Sequence, residues 1–221
     1  MDASRFPRTR DGRVVAGAVC WVLTLVFFVG QVVAQVASTE PYSLTRDYVS
    51  ELGVTACGPL SSGGYRAVIC SPLHDVMNGA FVATGVFLAL GAIGTWAAWP
   101  RRRLITWGLA LLVLAGAGKV LVGLAPANLH PDLHGLGALL GIGGADLGML
   151  LLGLALWNIR PWLGVSGAVL GVAGVIAFLF LMVVPLLGLG PGLTERVADE
   201  PVYVWLIAAG AAILLAPRAP V

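Results

Sequence analysis

Residues 14–37 read VVAGAVCWVLTLVFFVGQVVAQVA, an unbroken apolar run without one charged side chain. A transmembrane helix needs about 20 mainly apolar residues, because a rise of 1.5 Å per residue then crosses a hydrocarbon core about 30 Å thick. The run is too long for the apolar core of a typical signal peptide, although Val36 and Ser38 lie where a cleavage site has small residues. We therefore interpret it as an uncleaved membrane-spanning helix.

The rest of the chain repeats this pattern. Further apolar runs cover about 76–99, 104–125, 132–157, 162–187 and 201–216, and Pro201 suits the first turn of the last one. Of the 221 residues, 58% are hydrophobic and 11% are charged, whereas about 25% of residues are charged in a soluble domain. The bilayer must therefore act as the solvent. The sequence predicts a single all-α integral membrane domain over 1–221, a polytopic bundle of six transmembrane helices.

The arginines predict the orientation, because cytoplasmic loops of membrane proteins carry an excess of Lys and Arg. With the amino terminus in the cytoplasm, the inner side holds most of them: Arg5, Arg8, Arg10, Arg13, Arg101, Arg102, Arg103, Arg160 and Arg218. The outer side then holds Arg46, Arg66 and Arg196 and most of the carboxylates: Glu40, Asp47, Glu51, Asp75, Asp132, Glu195, Asp199 and Glu200. We predict a multi-pass protein of the plasma membrane with both termini in the cytoplasm.

The long connection over about 38–75 lies outside in this orientation. Its first half, YSLTRDYVSELGV (42–54), has the polarity of a short helix on the membrane surface, capped by Ser43. We expect this segment to cover the outer mouth of the bundle as a lid. Leu44, Tyr48 and Leu52 would face the bundle or the lipid, and the opposite face would present Asp47, Ser50 and Glu51.

The second half of the same loop is rich in Gly, Ser and Pro, which predicts irregular structure. It contains Cys57 and Cys70. Two cysteines in one external loop form a disulfide in an oxidising compartment or remain two free thiols, and the sequence leaves both readings open.

The 42–54 stretch resembles the hallmark of the bacterial membrane-protein family catalogued as domain of unknown function 998. The family carries a D-x-[IV]-S-E-L-G type of motif just outside its first helix, which Asp47, Val49, Ser50, Glu51, Leu52 and Gly53 match. Asn78–Gly79, Gly85 and the stretch GLTERV (192–197), with Glu195 and Arg196, are similar to further family elements. The resemblance implies a helical membrane fold and supplies no substrate.

All three histidines fall at the outer ends of predicted helices. His74 lies in SPLHDVMNG (71–79), with Asp75 beside it and Asn78 four residues on; His130 and His134 lie in NLHPDLHG (128–135). Histidines at one membrane level are candidates for zinc binding or for a proton-responsive switch. Polar boundary residues are the simpler interpretation, since no metal-binding motif accompanies them.

Two charged residues lie inside predicted spans. Asp146 is about 22 Å deep at 1.5 Å per residue past Pro131, where a charged carboxylate is expensive. It must be neutral, paired or beside water, and Thr24 and Thr106 are the partners we expect. Lys119 lies about 10 Å below the outer end of its helix. We predict that it faces the bundle interior and pairs with Glu51; the alternative is a lysine that reaches the headgroups alone.

Three function classes remain open. The first is a binder of a lipid or small amphiphile in an outward-facing polar pocket, the second an intramembrane lipid hydrolase or transferase that uses the outer His and Asp residues, and the third a small proton-coupled transporter that uses Asp146. Nothing in the sequence indicates nucleic-acid binding, a cofactor motif or an oligomeric state, so membrane lipids are the partners we expect. The candidate ligand-binding residues are Asp47, Ser50, Glu51, His74, Asp75, Asn78, Lys119, His130, His134, Asp146, Glu195 and Arg196.

Overall fold

The computed structural model describes residues 11–62, 65–183 and 190–216. Six of its helical segments are long and apolar enough to cross a membrane: Gly12–Val36, His74–Ala98, Arg103–Leu124, Pro131–Leu156, Pro161–Met182 and Pro191–Leu214. The prediction of an all-α polytopic membrane fold with six spanning helices is therefore confirmed. The inner arginines Arg5, Arg8, Arg10 and Arg218 and the end of the fifth predicted span lie outside the described residues.

The first span consists of two helices, α1 (Gly12–Leu23) and α2 (Val26–Val36). The Thr24 hydroxyl donates to the carbonyl of Trp21 at 2.6 Å, and the amide of Leu25 bonds to Val22, only three residues back. A threonine that takes up a carbonyl of its own helix commonly bends the helix. The joint between α1 and α2 follows from this competition.

The remaining spans form a ring in chain order. Helix α3 (His74–Thr95) ends in a tight turn, Trp96–Ala98, and is followed by α4 (Arg103–Leu124), by α5 (Pro131–Ala138) with α6 (Gly144–Leu156), by α7 (Pro161–Val183) and by α8 (Pro191–Leu214). Each span packs against the next, and α8 returns to α1. The centre of the ring is filled by large buried side chains, among them Trp21, Phe27, Phe81, Met149 and Tyr203.

A widened turn, Leu139–Gly143, joins α5 to α6 within the fourth span. It lies against α4 where both backbones carry glycine: a Cβ built on Gly118 would touch the backbone of Gly141, and one built on Gly141 would lie 3.3 Å from the amide nitrogen of Lys119. Glycine is therefore required at Gly118, whereas a Cβ at Gly141 would make a tight contact that a small shift could relieve. The contact fixes the backbone of Lys119 within the ring, with its side chain buried.

Helix α8 begins at Pro191, so the prediction that the last helix starts at Pro201 is wrong; Pro201 lies inside the helix. The first turns contain Glu195, Arg196 and Asp199, all buried. Hydropathy alone predicts that charged residues face water. In the structure these three side chains point into the bundle, where each forms hydrogen bonds. The sixth span is therefore longer, and more polar inside, than its apolar run.

The loop before α3 also differs from the prediction. Its motif forms a short 3-10 helix, Val49–Gly53, so the predicted outer-loop helix is present, but it is shorter than the predicted segment and largely buried. The second half is an antiparallel hairpin, β1 (Gly58–Ser62) and β2 (Tyr65–Ile69), rather than irregular structure. Cys57 and Cys70 form a disulfide immediately beside the outermost pair of the hairpin, which holds its two strands together. We call this side of the bundle the loop end, and the side with Arg13 and Arg101–Arg103 the arginine end.

Candidate functional site: a buried charged cluster at the loop end

Arg196 on α8 fastens the loop motif to the bundle. Its Nη1 donates to the carbonyls of Leu44, Asp47 and Gly192 at 2.7, 3.1 and 3.0 Å, and its Nη2 donates to the Tyr42 hydroxyl at 2.6 Å. A planar guanidinium with several donors is suited to collecting loop carbonyls in this way. The loop is thereby held over the end of α8.

The motif packs against α2, α3 and α8, but its acidic residues face the bundle rather than away from it. Asp47 and Glu51 are buried, whereas Leu44 is 48% exposed. The reason is that the bundle end beneath the loop is polar, with Glu195, Arg196 and backbone groups. The predicted outward-facing acidic side is therefore wrong, while Leu52 is buried as expected.

Asp47 is used to build the turn. One of its oxygens accepts the amide of Ser43 at 2.6 Å, and the other accepts Nε of Arg46 at 2.9 Å and the Tyr65 hydroxyl at 3.4 Å. Ser50 is half-buried in the same turn. A carboxylate with this many donors is committed to holding backbone geometry.

Only one of the two carboxylate oxygens of Glu51 forms a hydrogen bond with the described residues. Its Oε2 accepts the amide of Tyr48 at 3.1 Å, but its Oε1 is buried without a hydrogen-bond partner in the described part of the chain. The Tyr65 hydroxyl donates to Asp47, and it also lies close enough to the Glu51 carboxylate to lower its pKa. Burial, with the nearby charges of Asp47 and Glu195, raises the pKa of Glu51 to about 7. Glu51 therefore changes charge near neutral pH.

The motif is also fitted to the start of α3. Asn78 Nδ2 donates to the Gly53 carbonyl at 2.9 Å, and the Ser71 hydroxyl donates to the Leu52 carbonyl at 2.7 Å. A Cβ at Gly53 would collide with the Asn78 side chain. The glycine that ends the motif is required by this contact, and Asn78 has a structural role beside the motif.

A cavity of about 510 Å³ opens between the motif and the hairpin. Its polar lining includes Tyr42, Arg46, Asp47, Glu51 and Arg66, and its apolar lining Leu52, Val68 and Ile69. A volume of this size lies within the range of about 300–1,000 Å³ that is common for small-molecule sites. The cavity joins charged groups to an apolar wall at the loop end of the bundle.

Lys119 lies below the motif, inside the ring. Its ammonium pairs with Asp199 on α8, and both side chains are almost fully buried. The ammonium also faces the rings of Phe27 and Phe81, each 4.9 Å from it, and that of Tyr203 at 5.5 Å. The prediction of an interior lysine is confirmed, but Glu51 as its partner is wrong. Asp199 takes that place because α8 starts early and carries it into the interior of the bundle.

Two further acids lie near this pair. Glu195 accepts the amide of Val49 and so connects α8 to the motif. Asp146 is fully buried and close enough to Asp199 for their charges to interact. Neither Asp146 oxygen has a hydrogen-bond partner in the part of the chain that the structure describes. The expected bonds to Thr24 and Thr106 are absent there, since Thr24 is bonded to its own helix and Thr106 lies exposed toward the arginine end.

The histidines lie apart from this cluster. His74 Nδ1 is 3.0 Å from the Ser71 carbonyl and His134 Nδ1 is 2.9 Å from that of Ala125. His130 is exposed, and so is Asp75, which lies 3.5 Å from His74 Nε2. Among the described residues, no three His, Cys, Asp or Glu side chains are grouped so as to hold a metal ion. The histidines thus serve as helix-end residues in this arrangement.

Sequence reasoning missed the roles of Asp199 and Tyr203. The Tyr203 hydroxyl donates to Asp199 at 2.9 Å. The sequence could have predicted this grouping. Glu195, Asp199 and Tyr203 are spaced by four, so on a helix they lie on one face. Tyr42 and Tyr65 carried no comparable signal, since loop residues have no periodicity to place them.

The comparisons with known proteins agree with this architecture. The family described as "Protein of unknown function (DUF998)" matches residues 15–212. No curated protein and no solved structure matches the chain.

Proposed function

From the premise that the chain belongs to this family of membrane proteins of unknown function, we propose that it binds a lipid or small amphiphile with a cationic headgroup in the cavity at the loop end. Glu51 is the group that receives the headgroup. We further propose that the loop end faces outward from the plasma membrane and that both termini are cytoplasmic, as the arginine distribution indicates.

The observation that carries this proposal is the unpartnered Oε1 of Glu51. Buried polar atoms in proteins are nearly always hydrogen-bonded, and each exception calls for an explanation. Glu51 lines the cavity, and no described residue bonds to Oε1. Oε1 itself is buried, so a small rotation of the Glu51 carboxylate must bring it to the cavity surface, where a cationic ligand supplies the missing partner and compensates for the desolvation of the carboxylate.

The rest of the cavity suits the tail of an amphiphile. Leu52 and Ile69 give it a buried apolar wall, while Val68 on the hairpin is 62% exposed. An exposed valine at the mouth offers apolar contact to a chain that runs toward the membrane. Arg46 and Arg66 lie on the same lining and favour a ligand that also carries an anionic group, as a zwitterionic headgroup does.

The test compares three amphiphiles with one tail. Protein in lipid nanodiscs is titrated with octylammonium, octyl glucoside or octyl sulfate below the concentration at which each forms micelles, and binding is followed by isothermal calorimetry. We expect the cationic compound to bind most tightly, and the substitution Glu51→Gln to weaken it by about tenfold or more, since a charge-assisted contact is lost. Glu40→Gln, at another acid of the cavity lining, is the matched control and leaves binding nearly unchanged. Equal binding of all three compounds, or full binding by Glu51→Gln, would refute the proposal.

One observation favours a second candidate, a proton-coupled carrier. Asp146 is a fully buried acid without a hydrogen-bond partner among the described residues, and ionisable residues inside a bundle commonly mark proton or ion pathways. In proteoliposomes with an entrapped pH dye, a carrier would show proton flux that Asp146→Asn abolishes. The lipid-hydrolase alternative has no such support, because no histidine lines the cavity.

A further inference from the structure

A second and larger cavity lies at the arginine end, on the lipid-facing side of the bundle. Its volume is about 1540 Å³, above the range of about 300–1,000 Å³ usual for small-molecule pockets. Helix α3 forms its back, and α1 and α4 form its sides. It is separate from the loop-end cavity, and none of the residues that the structure describes lines both.

The rim of this cavity is strongly basic. Arg13, Arg101 and Arg103 line it and are exposed. Within the described residues, none of their guanidinium groups makes an ion pair or a hydrogen bond. Arg102 donates to the Ala155 carbonyl at 3.3 Å and so has a structural role. Asp11 is the acid on the lining, and its carboxylate caps α1 by accepting the amide of Arg13 at 2.9 Å.

The interior of the cavity is apolar. Leu90 and Ile93 on α3 are 49% and 55% exposed, and Trp107 on α4 is 64% exposed. Cys20 on α1 lies farther in, seven residues from Arg13 and thus about 10 Å along the helix at 1.5 Å per residue. The cavity is therefore a groove, and we call it the arginine-end groove. It runs from a cationic rim toward the hydrocarbon core, and Trp107 lies at the level where headgroups meet acyl chains.

We infer that this groove holds one anionic glycerophospholipid. Its phosphate lies among Arg13, Arg101 and Arg103, and an acyl chain follows the groove past Trp107 to Cys20. Basic pockets between transmembrane helices are suited to anionic headgroups, because each arginine near the surface strengthens the attraction. Charge also argues against a second copy of the chain as the occupant, since a symmetric dimer at this face would bring two arginine rims together.

Cys20 provides the measurement, because Cys57 and Cys70 are joined and Cys20 is the remaining cysteine. The protein is placed in nanodiscs of phosphatidylcholine alone or with one-fifth phosphatidylglycerol, and alkylation of Cys20 by N-ethylmaleimide is timed by intact mass. Phosphatidylcholine exchanges rapidly in the groove, whereas a tightly bound anionic lipid stays over the thiol, so alkylation slows several-fold when phosphatidylglycerol is present. High salt should remove much of this protection by screening.

Two variants separate charge from shape. Substitution of Arg101 and Arg103 by alanine weakens the preference for phosphatidylglycerol by about 25-fold, at roughly fivefold for each arginine. Substitution of both by lysine keeps the charge and retains most of the protection, which controls for misfolding. Equal alkylation rates in the two nanodiscs would overturn the inference, as would protection that persists in the alanine variant. Protection of Cys20 from alkylation only in discs that hold two protein copies would also overturn the inference, because a second protein copy, not a lipid, would then cover the groove.

Discussion

Removal of the Lys119 ammonium by Lys119→Met tests the buried centre of the molecule. Methionine keeps the length and much of the volume of the side chain, so the change isolates the charge. Among the described residues, it leaves Asp199 with one side-chain hydrogen bond, from Tyr203 at 2.9 Å, and with Asp146 and Glu195 as neighbouring acids. The carboxylate is then buried among like charges without its counter-ion.

The expected loss in the free energy of unfolding follows from the contacts of the pair. Loss of one partner from a buried ion pair costs about 3–5 kcal/mol, and the acidic surroundings place Lys119→Met near the upper end. Asp199→Asn should cost less, near about 3 kcal/mol, because the remaining ammonium still faces Phe27, Phe81 and Tyr203, and desolvated cation–π contacts are worth about 2 kcal/mol. The double variant should recover roughly 1–3 kcal/mol of the summed loss, since no unpaired charge remains.

Thermal unfolding in detergent, followed by intrinsic tryptophan fluorescence, measures these effects. At roughly 2–4 °C per kcal/mol for a chain of this length, Lys119→Met should lower Tm by about 10–20 °C. Asp75→Asn is the control, because that side chain is 94% exposed and should leave Tm unchanged. A loss for Lys119→Met below about 1 kcal/mol, strict additivity in the double variant, or a larger loss for Asp199→Asn would each refute the reasoning.

Three further predictions concern the loop. Replacement of Cys57 and Cys70 by serine should lower the free energy of unfolding by at most about 3 kcal/mol, and alkylation of native protein without reductant should modify Cys20 alone by intact mass. Because burial raises the pKa of Glu51 from 4.5 to about 7, the folded protein binds this proton more tightly than the unfolded chain does. The free energy of unfolding should therefore fall by roughly 3 kcal/mol as pH rises from about 4.5 to 7, at 1.36 kcal/mol per unit, and Glu51→Gln should remove that part of the pH dependence. A cysteine placed at Ser62 in a Cys20→Ser background should react with an impermeant reagent in intact cells; reaction only after lysis would contradict the proposed orientation.

The apolar spans could be predicted because membrane insertion depends on local composition. Runs such as 14–37 contain the required length of uncharged sequence, and no tertiary contact is needed to recognise it. The first turns of α8 lack this property. Their Glu195 and Asp199 are tolerated in the bundle only because Val49 and Lys119, distant in sequence, supply their partners. Partners of that kind cannot be identified from a window of neighbouring residues.

The loop illustrates a different limit. Its polarity matched a helix on the membrane surface, and a 3-10 helix does form over Val49–Gly53. The helix is short and buried because Asp47 and Glu51 bond to nearby backbone amides instead of facing water. Burial alternates along β2 of the hairpin: Tyr65 and Ile69 are buried, whereas Arg66 and Val68 are exposed. Five residues of alternation are too few to outweigh a Gly- and Ser-rich context.

The structural roles of the motif leave little of it for ligand binding. Asp47 holds the turn, Leu52 is packed in the core, and Gly53 is fitted to Asn78. A loop this firmly fastened is suited to positioning a group rather than to moving. The group that it positions is Glu51, which lines the loop-end cavity. Its Oε2 accepts the Tyr48 amide, and its Oε1 has no hydrogen-bond partner among the described residues. Substitutions at the structural positions should therefore reduce the amount of folded protein, whereas Glu51→Gln should preserve the fold and alter binding. That separation is what makes Glu51 the decisive position in the motif.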